Sequence, residues 1–92
     1  MQLLRWSIVV TGRVQGVGFR YFTAAGARKY GLTGWVRNRS DGGVEMEVQG
    51  SAEMLAVFRV EVNEGPLLAR VNEMKVAELP PVDDEKEFEI RY

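Results

Sequence analysis

Two residue types are missing from this 92-residue chain altogether: it has no cysteine and no histidine. Without thiols there is neither a disulfide framework nor a thiolate nucleophile. Without imidazole, His-based triads, His/Cys zinc sites and the usual general base at neutral pH are excluded as well. An excess of charge of one sign is also lacking. Twelve basic against 13 acidic residues leave a net charge of −1, with no polybasic footprint for a nucleic-acid backbone or an anionic membrane. Long apolar runs are absent too: Trp6 to Val10 is interrupted by Ser7 and preceded by Arg5, far short of a spanning helix or a signal-peptide core. The expectation is a cytoplasmic monomer with no nucleic-acid and no membrane partner. Hydrophobic residues at 46% and charged residues at 27% are ordinary globular proportions, so residues 1–92 are expected to form one domain held by packing alone.

What is present alternates between two periodicities. Leu4, Trp6, Ile8 and Val10 share one face of a first strand, with Arg5, Ser7 and Thr11 on the other. From Phe19 to Tyr30 the spacing becomes helical: Phe19, Thr23, Gly26, Ala27 and Tyr30 line one side and Gly31 ends the run. Gly26 within that helix reads either as close packing against the sheet or as a simple weak spot. Leu32–Arg39 and Val44–Gln49 read as strands joined by Ser40-Asp41-Gly42-Gly43, a tight-hairpin sequence. Ser51 can cap a second helix through Leu55, Phe58 and Val62, which Gly65-Pro66 stops. Arg70–Leu79 reads as a fourth strand. After the acidic segment around Asp83-Asp84-Glu85, Phe88, Ile90 and Tyr92 alternate in a short last one.

The order is β-α-β-β-α-β plus a short C-terminal strand: an α+β, ferredoxin-like split-βαβ sandwich with two helices on one face of a mostly antiparallel sheet. A right-handed crossover makes the first two strands parallel, leaving a gap that the third strand fills through its hairpin. The loop leaving strand one and the end of strand two then emerge at the same sheet edge, which makes residues 15–20 and 37–39 neighbours.

Gln15-Gly16-Val17-Gly18-Phe19-Arg20 joins a strand to a helix start. Backbone N–H groups there lack intrahelical partners and sit at the positive end of the helix dipole; two glycines let successive amides converge, and Arg20 adds a planar fork of charged donors. Such a loop suits a phosphoryl group. It lacks the third glycine of a dinucleotide fingerprint and the Gly-Lys of a Walker loop. From the residues alone it reads either as an anion cradle or as a tight turn carrying a solvated arginine. Asn38 either holds a reactant or ends a strand before a hairpin, and Arg37, Arg39 and Asp41 read as solvated turn residues. Glu45 and Glu47, opposite the apolar phase of their strand, read as surface rather than as paired catalytic carboxylates. Trp6, Trp35 and Phe58 read as core or rim packing, and no basic-glycine-aromatic run of the RNA-recognition type occurs.

Gly12-Arg13-Val14-Gln15-Gly16-Val17-Gly18-Phe19-Arg20 closely resembles the first signature of acylphosphatases, and Gly34-Trp35-Val36-Arg37-Asn38-Arg39-Ser40-Asp41-Gly42-Gly43-Val44-Glu45 resembles the second. Gly65-Pro66 with Ala69 and Val71, and the closing Phe88-Glu89-Ile90-Arg91-Tyr92, are similar to that family too, so the resemblance spans essentially the whole chain. Tyr30 stands where a leucine is more usual, and Pro80–Lys86 resembles nothing in the family. The resemblance implies hydrolysis of the carboxyl-phosphate bond of small-molecule acyl phosphates, giving a carboxylate and inorganic phosphate, with no cofactor and no metal. By position, Arg20 and the amides of Gln15, Gly16, Val17, Gly18, Phe19 and Arg20 would grip the phosphate, and Asn38 would hold the attacking water. The alternative it leaves is a non-catalytic, accessory acylphosphatase-like module that binds phosphate or carbamoyl phosphate.

Overall fold

A computed structural model describes residues 2–92. Seven elements follow one another: β1 (Leu3–Arg13), α1 (Phe19–Lys29), β2 (Thr33–Asn38), β3 (Val44–Ser51), α2 (Ala52–Glu64), β4 (Arg70–Leu79) and β5 (Phe88–Ile90). The sheet order is β4-β1-β3-β2-β5. β1 pairs antiparallel with β3 and β4, and β2 antiparallel with β3, so β1 and β2 run in the same direction as the crossover argument requires. β5, whose pairing the pattern left open, lies parallel to β2 with Gly34 opposite Phe88. The strand-to-helix connection after β1 and the end of β2 therefore do meet at one edge.

Both helices cover one face. Ile8, Val10, Val36, Val44, Met46 and Val48 project from the sheet onto Phe19, Ala24 and Ala27 of α1 and Leu55, Phe58 and Val62 of α2, all of them buried. Ser51 caps α2 by accepting a bond from the Met54 amide at 3.3 Å, a contact that typically stabilises a helix by about 1 kcal/mol. Gly26 is buried, but its neighbour is α2 rather than the sheet: a Cβ there would stand 3.7 Å from two ring carbons of Phe58. The α1 helix ends at Lys29, one residue before Tyr30, over whose ring the Lys29 ammonium sits at 4.8 Å. Among the described residues no helix is long and apolar enough to cross a membrane.

The other sheet face departs from the alternation. Arg5, placed by its pattern on the solvated side, is 3% exposed. Its Nε donates to Glu47 at 2.9 Å, and its terminal nitrogens donate to Glu85 at 2.8 and 3.2 Å and to Gln49 at 3.3 Å. Gln49 in turn clasps Val82, donating to its carbonyl at 3.0 Å and accepting from its amide at 2.9 Å. The Pro80–Lys86 segment, which resembles nothing in the family and whose composition reads as a solvated loop, instead covers a buried charge through Val82 and Glu85. Glu47 is half-buried beneath it rather than a free surface carboxylate. Burial opposes the charge on Arg5, but its bonds to Glu85 and Glu47 outweigh that and hold the guanidinium more firmly protonated.

Candidate active site

The cradle is built by two left-handed backbone positions. Gly16 (φ 72°) and Gly18 (φ 78°) adopt conformations that cost an L-residue on the order of 1–2 kcal/mol, and they turn the chain from β1 into α1. Gly18 is also the N-cap of α1 and has no side chain to satisfy the first amides, while its carbonyl accepts from Phe22 at 3.0 Å. No acidic residue occupies the first turn of α1, so nothing neutralises the positive end of its dipole.

A cavity of about 120 Å³ opens at this turn, lined by Val14, Gly16, Gly18, Phe19, Arg20, Tyr21 and Asn38. Of the residues singled out from sequence, Gly16, Gly18, Phe19, Arg20 and Asn38 thus share one wall. Gln15 and Val17 do not line it. The side chain of Val17 packs against the core. That of Gln15 turns to the β2–β3 hairpin, where Nε2 donates to the Arg39 carbonyl at 2.8 Å and to the Gly43 carbonyl at 2.9 Å. Gln15 therefore ties the cradle to the segment that carries Asn38, a role for its carboxamide that sequence reasoning missed.

A second unforeseen contact holds Arg20. Its Nη1 donates to the Arg91 carbonyl at 3.1 Å, and its guanidinium lies 4.5 Å from the centre of the Tyr92 ring. The Tyr21 and Tyr92 hydroxyls approach to 3.5 Å, and that hydrogen bond pushes the Tyr92 phenol above its ordinary range. These partners lie 71 residues apart in the chain, and no local signal announces them. β5 brings them together, its direction continued by the Arg91 amide donating to the Val36 carbonyl at 2.8 Å.

The hairpin beyond Asn38 is stapled by charge. Arg39 reaches Asp41 at 3.0 Å and Glu45 at 3.4 Å, and Glu45 also accepts from Arg37 at 2.7 Å. Asp41 takes the Gly43 amide as well at 3.0 Å; the bonds from Arg39 and Gly43 lower its carboxyl below the ordinary value. Arg37, Arg39 and Asp41 are thus partnered rather than merely solvated. Trp6 and Trp35 are half-buried rim residues under guanidinium groups, Arg59 over the first and Arg37 and Arg91 over the second. Among the described residues no three or more His, Cys, Asp or Glu side chains converge in a way that could hold a metal ion.

A glycine-bounded turn at an uncapped helix start, one guanidinium-bearing residue and one carboxamide-bearing residue on a single wall make a set of groups suited to a phosphoryl group with a small polar molecule beside it. The comparisons with known proteins agree with that chemistry. The family model described as Acylphosphatase matches residues 6–90. The acylphosphatase of Bacillus licheniformis is 46% identical over 90 residues, covering 98% of this chain and 100% of its own. The crystal structure of the acylphosphatase from Bacillus subtilis superposes with a TM-score of 0.93 at 42% identity, covering 97% of this chain and 99% of its own. A similar region occurs in full-length HypF, crystallised in a phosphate- and nucleotide-bound form: the TM-score is 0.90 at 38% identity, covering 99% of this chain but 12% of that protein.

Proposed function

Since this chain belongs to the acylphosphatase family and hydrolyses acyl phosphates, we propose that the cavity at the β1–α1 turn is where it does so. The phosphoryl oxygens would lie among the amides of the 15–20 turn, foremost those of the cavity-lining Gly16, Gly18, Phe19 and Arg20, and the Arg20 guanidinium, with the attacking water held by the Asn38 carboxamide. The observation that carries this reading is the common wall: Gly16, Gly18, Arg20 and Asn38 line one cavity although they come from two separate chain segments.

The chemistry asks for no more than these groups. Phosphoryl transfer runs through a loose transition state with negative charge on the equatorial oxygens, so fixed donors around those oxygens and an aligned water supply most of the catalysis. The leaving group is a carboxylate, a weak base that departs without an acid to protonate it. Water adds to phosphorus, the carboxyl-phosphate P–O bond breaks, and the water's protons pass to the phosphate product and solvent. The accessory-module alternative is not favoured, because curated acylphosphatases are matched from end to end.

Release of inorganic phosphate from benzoyl phosphate, measured with EDTA present, tests the reading. Turnover with competitive inhibition by phosphate is expected. Phosphate binding without turnover of any acyl phosphate would overturn it and return the accessory module.

A further inference from the structure

Beside the cradle, and sharing Asn38 with it, lies a shallow basin of about 380 Å³ lined by Arg37, Asn38, Arg39, Ser40, Glu45 and Tyr92. Arg37 and Asn38 are successive residues of β2 and point to opposite sides of the sheet. The basin therefore wraps around the strand end, from the cradle's side to the open face. Because the two cavities share Asn38, the acyl chain of a phosphoryl group seated in the cradle would have this recess as a neighbouring space.

Every lining residue is polar or charged apart from the face of the Tyr92 ring, so the recess does not suit an alkyl chain. Its two arginines differ in availability. Arg39 is committed: Asp41 takes two of its nitrogens and Glu45 the third. Arg37 spends only Nε, on Glu45 at 2.7 Å, and its two terminal nitrogens have no hydrogen-bond partner among the described residues. It is also oriented, because Glu45 fixes one edge and the Trp35 ring lies 5.1 Å from its central carbon. An oriented guanidinium with a free pair of donors is the geometry that receives a carboxylate.

We propose that this basin is the acyl subsite and that Arg37 selects acyl phosphates whose acyl chain carries its own anionic group a few carbons from the scissile bond. The proposal rests on the reading that the cradle hydrolyses acyl phosphates. Dicarboxylic acid monophosphates are the simplest members of the class.

Succinyl phosphate and butyryl phosphate have four-carbon chains that differ in a terminal carboxylate against a methyl, so the ratio of their kcat/KM values isolates the subsite from the chemistry. In the intact protein the ratio is expected to favour succinyl phosphate about five-fold, the scale of one partly exposed charge-assisted contact, and to shrink in high salt. Arg37→Gln should bring the ratio close to one, and Arg37→Lys should restore part of the preference. Arg37 is half-exposed, so neither change threatens the fold. A ratio near one in the unaltered protein, or one that Arg37→Gln leaves in place, overturns the subsite while acyl phosphate hydrolysis stands. Failure to hydrolyse either compound overturns both readings.

Discussion

The Gln15 carboxamide donates to the Arg39 carbonyl across 24 residues of chain at 2.8 Å, and this bond ties the β1–α1 turn to the strand end that bears Asn38. On the proposed reading Gln15 is a positioning residue. Gln15→Leu keeps the volume and removes both donors. We expect about ten-fold lower kcat/KM on benzoyl phosphate, because a small displacement of one reacting group from another is costly, with a loss of about 1 kcal/mol in urea unfolding. A melt shift with unaltered kinetics would reduce the residue to a structural tie.

Arg20→Ala should remove about 3 kcal/mol of transition-state stabilisation, measured as kcat/KM on benzoyl phosphate, and weaken inhibition by inorganic phosphate. Asn38→Ala should instead lower kcat while leaving phosphate inhibition near its original strength, since on the proposed reading water rather than phosphate is its partner. Neither a guanidinium nor a carboxamide changes charge near neutrality, so kcat should be flat across that range. A steep bell there would demand an acid or base that this site does not contain.

Burial by itself would raise the Glu85 carboxyl, but hydrogen bonds from Arg5 and Thr33 and the attraction of Arg5 outweigh it and hold the group below its ordinary value of 4.5. A depressed carboxylate contributes stability that is complete above its unfolded value and is lost as pH falls through the folded one. Thermal melts should therefore drop in acid below about pH 4.5. Glu85→Gln should flatten that fall and cost about 2 kcal/mol at pH 7, because Arg5 then keeps only Glu47 as a charged partner.

Gly26→Ala should stabilise the protein. The added methyl meets Phe58 at ordinary contact distance, 3.7 Å, and alanine is about 1 kcal/mol the better residue in a helix interior. A rise of about 5 °C in Tm is expected from differential scanning calorimetry. A fall would show that the α1–α2 interface has no room for the methyl.

Thr23 is fully buried in α1, and its hydroxyl has no hydrogen-bond partner among the described residues. Thr23→Val removes that unpaired group at constant shape and should add about 1 kcal/mol to the unfolding free energy in urea.

Legibility followed the range of the interactions. Periodicity and turn chemistry placed the helices and strands to within a residue or two: Arg70–Leu79 matches β4 end to end, and Ser51 caps α2 as its position suggested. Their order carried the neighbourhood of residues 15–20 and 38, since a right-handed crossover admits little else. Arg5 misled because alternation reports only which side a residue faces, and a sheet face counted as solvated can be covered by a distant loop. Gly26 misled for a related reason: helical spacing shows a buried face without showing whether sheet or helix lies against it.

The chain's local chemistry was thus enough to specify the architecture and the glycine-bounded turn with its arginine, because propensity, spacing and handedness act between near neighbours. Tertiary packing alone decided that Gln15 would bind the hairpin rather than line the cavity. It also decided that Arg91 and Tyr92 would hold Arg20, and that Glu85 would cover Arg5. Each of these contacts joins residues 24 to 80 positions apart, and their meeting depends on how the whole sheet closes.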